Sequence, residues 1–385
     1  MLGWELPPYN SGGLGVACLN LSRALAKTGA KIDFVVPYTA QYQDCDFMNV
    51  LPATHVELTG ATGAYDSTFV TDGSEIRHLQ HEYCKFVTKY LADNHPDVIH
   101  AHDWLTFEAG ILAKKHYGVP LVAHVHATEY DRSGMNGGNE LVHAIEREGL
   151  TLADRIIAVS ETTKNLIHEK YGIPLSKIDV AYNSLSDEFL QEKYNYDQAD
   201  YPYFESYKKA GYTIVATVGR FTIQKGLWHM MQAAARALKQ DDKLLFVFAG
   251  DGEERDELIS LAAELGIAKN VFFTGFVRGK LLRDIYSMAD IFVMSSISEP
   301  FGLTALEAAH YGDALILTKQ SGVSEVLRSA ISYDFWDEKK LADAIIAIAH
   351  SKALQQTLRA SIKEEYRKIS WDDVAQKCLS VYGAV

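Results

Sequence analysis

Two glutamates eight residues apart bracket a turn in the run Ser298-Glu299-Pro300-Phe301-Gly302-Leu303-Thr304-Ala305-Leu306-Glu307. Pro300 and Gly302 set up entry into a helix, which leaves the N–H groups of Leu303 and Thr304 at its positive end, a cradle for phosphate. Glu299 then lies in the loop ahead of the helix and Glu307 in its second turn. So placed, they cannot share a proton or flank one bond as a hydrolase pair does. They read as two separate groups for recognising hydroxyls.

A second constellation lies upstream. A strand ends in Gly219 and Arg220, and after a short loop Lys225 and Gly226 open a helix. Two cations at the mouth of a parallel sheet are costly unless something anionic sits between them, and a diphosphate fits; a solvated salt bridge is the other reading. Arg220 offers a planar fork and Lys225 a compact charge, together suited to a departing nucleotide diphosphate. Near the start, Gly12, Gly13 and Gly15 precede an amphipathic helix running from Val16 to Gly29. Glycines there let backbone approach a ligand and leave N–H groups for a phosphate, or they form an ordinary turn. Their spacing is not that of a dinucleotide fold.

Such residues need a scaffold, and the pattern supplies one. Short β-branched runs alternate with longer amphipathic segments, which predicts an α/β fold with parallel sheets wrapped by helices. Strands are expected near Lys31–Pro37, Asp97–His102, Pro120–Ala127, Arg155–Ser160 and Lys177–Asn183. Periodicity fails from Phe189 to Tyr212, which reads as a linker. Alternation restarts at Thr213–Gly219, Lys243–Ala249, Asn270–Thr274, Ile291–Ser296 and Ala314–Thr318. Several of these runs are apolar on both faces, as buried parallel strands are. The expected division is a first domain over 1–195, a second over 213–365, and a last helix over 366–385. Pro52 to Glu82, rich in Thr, Gly and Asp, reads as a hairpin or long loop. A first strand belongs ahead of the glycine loop, yet only Met1 to Glu5 is available there, so an earlier natural start is expected.

Length and composition agree with two domains. The 385 residues exceed what one core usually supports, and 23% charged with 48% hydrophobic residues is a globular balance. A net charge of −13 argues against a general nucleic-acid binder or a broad basic membrane surface, while leaving local peripheral contact open. No apolar run approaches the roughly 18 residues of a membrane span and no signal-peptide pattern opens the chain, so a cytoplasmic location is expected. Cys18, Cys45, Cys84 and Cys378 have no paired spacing and read as buried free thiols rather than a zinc site or disulfide framework.

Together these segments resemble the retaining glycosyltransferases of family 4 and their glycogen and starch synthase relatives, over nearly the whole chain. The resemblance rests on Glu299 and Glu307 around Phe301 and Gly302, on Arg220 with Lys225 and Gly226, on the Gly12–Gly15 loop, and on Ala249-Gly250-Asp251-Gly252 at a strand end. It implies the GT-B fold, two facing Rossmann-like doubly wound domains with a cleft between them. It also implies that the last helix, from about Trp371, crosses back to the first domain.

Residue by residue, the resemblance implies that Glu307 holds the donor's ribose hydroxyls and Glu299 contacts the transferred hexose. Arg220, Lys225 and the backbone of Gly13, Leu303 and Thr304 would hold the diphosphate, with Gly15 and Gly302 also among the donor-binding residues. His126 matches the active-site histidine near the donor sugar. Asp103, in His102-Asp103-Trp104, matches an acidic position near the sugar site; His100 and His102 are expected to be structural or to lie behind the residues that touch the ligand. Asn10 and Ser11 stand where glucan synthases carry a lysine, which leaves other family 4 specificities open. Glu129, Asp131, Arg132 and Asn136 also resemble family members, without assigned roles.

The implied reaction moves a hexose, glucosyl by this resemblance, from a nucleotide-diphosphate sugar to an acceptor hydroxyl of a glucan, another saccharide or a different molecule. Front-face departure and attack would retain configuration, since no carboxylate is placed where a nucleophile should lie. Lys225 and Arg220 would stand in for a metal, so no cofactor is expected and no Asp-x-Asp pair is seen at a strand end. The base would be read by backbone near Gly275 to Val277. Rival readings are a sugar-nucleotide epimerase or phosphorylase on the same architecture, or a binding protein that has lost turnover.

Overall fold

The computed structural model describes residues 1–10, 12–42, 45–57, 73–191 and 202–385. They form two compact units. The first comprises Met1–Glu129, Gly138–Asn183 and Ser370–Val385; the second comprises Tyr130–Gly137 and Ser184–Ile369.

In the first unit, β1 (Asp33–Val36) pairs with β2 (Asn49–Pro52), and β3 (Ile99–His102), β4 (Leu121–Val125), β5 (Arg155–Ala158) and β6 (Ile178–Val180) follow in that order, all parallel. Leu2 joins the two sets. Its N–H donates to the His100 carbonyl at 2.8 Å and its carbonyl accepts from His102 N–H at 3.0 Å, while Gly3 N–H donates to Val35 on the other side. Residues 1–3 thus occupy the central first-strand position. The chain reverses its direction of winding between them and β3, so the loops leaving both open at one crevice of the sheet. The C-terminal helix Trp371–Tyr382 packs on the helix Gly13–Lys27, with Trp371, Val374, Cys378 and Val381 in one apolar cluster with Leu21, Leu25 and Phe34.

The second unit holds one six-stranded parallel sheet ordered β12-β11-β10-β7-β8-β9, from β7 (Thr213–Val218), β8 (Leu244–Ala249), β9 (Val271–Gly275), β10 (Ile291–Met294), β11 (Ala314–Thr318) and β12 (Ile331–Tyr333). All six residues of β8 are buried, as expected of a strand covered on both faces. Each Leu or Phe so placed contributes about 1.5–3 kcal/mol of burial. Winding reverses between β7 and β10. Their carboxyl ends therefore diverge into a ready binding crevice.

Three expectations change. Gly73–Asp93 is a helix of 21 residues, so the predicted loop over Pro52 to Glu82 ends no later than Gly73; residues 58–72 lie outside the described ones. Its buried face is Gln80, Tyr83, Val87 and Leu91, a stripe that starts only at the end of the polar stretch. Within the expected linker, Asp187–Gln191 and Pro202–Lys209 are helical, and residues 192–201 lie outside the described set. Phe204, 1% exposed, is the anchor of the second helix, and one anchor gives no period to read. β2 and β12 were not foreseen, being four and three residues long. The four cysteines are free, three buried and Cys84 half-buried. No helix among the described residues is long and apolar enough to cross a membrane.

Candidate functional site

The reversal between β7 and β10 brings together side chains 74 residues apart. Lys225, at the end of the turn that follows β7, places its Nζ 2.6 Å from Glu299 Oε2, in the loop that follows β10. Ser296 Oγ donates to the same oxygen at 2.8 Å, and Ser295 Oγ donates to the Lys225 carbonyl. Side-chain exposure is 23% for Lys225 and 11% for Glu299, so water screens this pair little. A pocket is lined by Gly219, Phe221, Lys225, Ser296, Glu299 and Thr304.

Glycines make these loops possible. A Cβ on Gly226, at φ +59°, would lie 2.3 Å from the Ser295 carbonyl oxygen, so only glycine lets the two loops touch. Gly250, at φ +147°, would meet the Gly219 oxygen at 1.8 Å. That accounts for the Ala249-Gly250-Asp251-Gly252 strand end: it packs backbone to backbone under the Gly219–Phe221 loop, with Phe221 N–H donating to the Asp251 carbonyl at 2.8 Å. Arg220, between them, is exposed.

Beyond Glu299 the chain runs beside Ser321–Val323, with Gly322 N–H on the Glu299 carbonyl and Val323 N–H on that of Phe301. Gly302 then caps the helix Leu303–Tyr311 with no side-chain hydrogen bond, which leaves the helix's first N–H groups available to a ligand. Glu307, half-buried in this helix, accepts a 2.7 Å hydrogen bond from Tyr286 Oη. Burial pushes its carboxyl up to about 7, against the lowering effect of the Tyr286 bond. Tyr286 sits in the helix Gly279–Met288 and stacks on Tyr311; nothing in the sequence pattern marks it as a partner.

In the first unit, Gly12 caps the helix Gly13–Lys27. Gly15 N–H donates to the buried Glu5 carboxylate at 3.2 Å, and a Cβ on Gly15 would lie 2.8 Å from that of Asn10. Glycine at 15 thus lets the loop pack closely, and its N–H is engaged by Glu5. Gly13 is exposed, and Ser11 lies outside the described residues. Asp103, buried and at φ +59°, accepts from His126 N–H at 2.7 Å and Ala127 N–H at 3.4 Å through Oδ1. Its carboxylate thereby ties the end of β4 to the turn after β3.

His126 belongs to a stack of four imidazoles. His100 Nε2 lies 3.1 Å from His124 Nδ1, His102 Nδ1 lies 3.0 Å from His126 Nε2, and His100 Nδ1 lies 2.5 Å from Tyr382 Oη on the C-terminal helix. Burial drives all four toward neutrality, His126 down to about 3. At neutral pH His126 therefore presents an uncharged ring. Nitrogens of His100, His102 and His124 come within 4.8 Å of one another. The rings nevertheless lie only 12–29° apart, and nearly parallel rings aim their in-plane lone pairs alongside one another rather than at a common point.

Residues 203–368 match the family described as Glycosyl transferases group 1, and residues 11–189 match Glycosyltransferase Family 4. The chain is a glycosyltransferase. It is 29% identical to an uncharacterized glycosyltransferase of Methanocaldococcus jannaschii, over 99% of this chain and 97% of that one. It is also 29% identical to a glycogen synthase of Mycobacterium tuberculosis, over 99% and 93%. A sucrose-phosphate synthase from Thermosynechococcus elongatus superposes with a TM-score of 0.78 at 18% identity, over 100% and 98% of the two chains, and shares its two-domain GT-B fold. In this glycosyltransferase the Lys225–Glu299 pair, its Ser296 donor and the Tyr286 partner of Glu307 are what sequence reading did not find.

Proposed function

We propose that this glycosyltransferase moves a hexose, glucosyl by its likeness to a glycogen synthase, from a nucleotide-diphosphate sugar to an acceptor hydroxyl with retention of configuration. The reading is carried by one observation: Lys225 and Glu299 meet in a pocket that also reaches Thr304, in the first turn of a helix whose cap, Gly302, has no side-chain hydrogen bond to its N–H groups. A diphosphate there takes the helix N–H groups and the Lys225 charge, with Arg220 at the rim. Glu299 faces the hexose and Glu307 the ribose. His126, a neutral ring, serves the sugar by hydrogen bonding rather than as a charged acid. The leaving diphosphate takes the acceptor's proton, so the protein supplies positioning and charge.

A thermal-shift screen of uridine, adenosine and guanosine diphosphate sugars, followed by anomeric analysis of the product formed from the stabilising donor, tests this. An upward shift from one donor is expected, then a product with the donor's anomeric configuration. Epimerised donor without acceptor, turnover that needs inorganic phosphate, or an inverted product would overturn the proposal. A further expected result is that a chelator leaves the rate within about twofold, Lys225 doing the work of a divalent ion. Complete loss restored by metal would show that the diphosphate is neutralised otherwise.

Glu307 gives the reaction a pH dependence. Ribose O–H groups bind an ionised carboxylate more strongly than a neutral carboxyl, and a carboxyl that burial pushes up to about 7 is mostly protonated at pH 6 and mostly ionised at pH 8. Affinity for free nucleoside diphosphate should rise with pH across that window, by roughly tenfold if only the ionised form binds. The ligand's terminal phosphate also titrates near pH 6, so calorimetry on Glu307→Gln is the reference. A slope identical in both proteins would remove Glu307 from the ribose.

A further inference from the structure

The segment Tyr130–Gly137 leaves the chain of the first unit after β4 and is part of the second unit. It is a tight turn of its own: Met135 N–H donates to the Tyr130 carbonyl at 2.8 Å and Gly134 N–H to that of Asp131 at 3.1 Å. Asp131, 2% exposed, accepts a 2.5 Å hydrogen bond from Ser298 Oγ. A carboxylate this buried is retained at a desolvation cost unless its partners repay it. Gly134, at φ +60°, lies against Ile223 and Gln224, where an added Cβ would be 3.5 Å from Ile223 and 3.9 Å from Gln224 N. Gln224 Nε2 in turn donates to the Ser298 carbonyl at 3.0 Å, and Ile297 N–H to the Gln224 carbonyl at 2.8 Å. The segment therefore bears on Ser298 and Gln224, the residues immediately before Glu299 and Lys225.

We propose that Asp131 is a positioning residue for the transfer, fixing the loop that carries Glu299 through its hydrogen bond to Ser298. This rests on the role given to Glu299 above. With the Ser298 hydroxyl anchored on one side and its carbonyl held by Gln224 on the other, the backbone entering Glu299 has one setting. Without the anchor, Glu299 loses its register beside Lys225 and Ser296. The consequence falls on the step in which Glu299 acts and not on the ribose end of the donor.

Steady-state kinetics and calorimetry on four single and two double variants test this. Asp131→Ala and Ser298→Ala should each lower kcat about tenfold, with affinity for free nucleoside diphosphate unchanged. Ser298→Thr keeps the hydroxyl and should recover turnover to within about threefold of wild type. In a Glu299→Gln background, Asp131→Ala and Ser298→Ala should lower kcat no further, because both act through Glu299. Should Asp131→Ala fail to fold, the Ser298 variants alone decide. Wild-type turnover in Ser298→Ala, or losses that multiply in the Glu299→Gln background, would overturn the inference. Wild-type turnover in Glu299→Gln itself would instead overturn the reading of Glu299.

Discussion

Replacing Lys225 with Ala should lower turnover at saturating donor by about two to three orders of magnitude, with the protein still folded. The size follows from the placement of the charge. A preorganised donor aimed at developing negative charge in a water-poor site is worth about 2.7–4 kcal/mol, and each 1.36 kcal/mol is tenfold in rate. Lys225 is 23% exposed and held by Glu299 at 2.6 Å, so water screens its charge little. The same pair predicts a stability effect that has to be separated from the kinetic one. Lys225→Ala leaves the Glu299 carboxylate, 11% exposed, with the Ser296 hydroxyl still donating to it, a loss of about 1–3 kcal/mol for so poorly solvated a group. The double variant Lys225→Ala with Glu299→Gln removes the stranded charge. It should recover much of the melting temperature and none of the turnover. Near-normal turnover in Lys225→Ala at saturating donor would show that the leaving diphosphate does not depend on this lysine.

How far the sequence reaches is visible in that pair. Each half was legible: Lys225 with Gly226 after a strand, and Glu299 ahead of a glycine-capped helix. That they touch was not, because contact depends on β10 lying beside β7 while β8 lies on the other side, and strand order leaves no local pattern. Long buried strands such as β8 and β11 were read with their boundaries nearly right, since runs apolar on both faces have few other fates. Gly15 and Asp103 mark the opposite limit. Both motifs were noticed, but their nearest obligations are internal, Gly15 to Glu5 and Asp103 to the backbone of His126 and Ala127. Hydrogen-bonding capacity alone does not say whether a group faces a ligand or its own chain.

Glu299→Gln and Glu307→Gln should fail in different ways. Glu307 accepts from Tyr286 through Oε2, which orients the carboxyl; in the role proposed above, Oε1 takes the ribose hydroxyls. That interaction is the same in ground and transition states, so its loss should raise the donor's KM and weaken free nucleoside diphosphate while changing kcat little. One charge-assisted hydrogen bond is worth about 1.5–3 kcal/mol, hence roughly ten- to a hundredfold in affinity. In the role proposed for it, Glu299 sits beside the part of the donor that becomes positive as the bond from hexose to phosphate breaks. Its carboxylate is held between Lys225 and Ser296, and the amide that replaces it carries no charge and offers Lys225 a weaker partner. Turnover should therefore fall by tenfold or more, about 1.4 kcal/mol of stabilisation removed being enough for the first factor of ten. The free nucleoside diphosphate has no hexose, so its affinity should barely change, or rise slightly as Lys225 is released from its partner toward the phosphates. Calorimetry with that ligand and steady-state kinetics with the full donor separate the two cases. Normal binding of the free diphosphate by both variants, or the reverse pattern, would remove the ribose and hexose assignments while leaving the glycosyltransferase fold untouched.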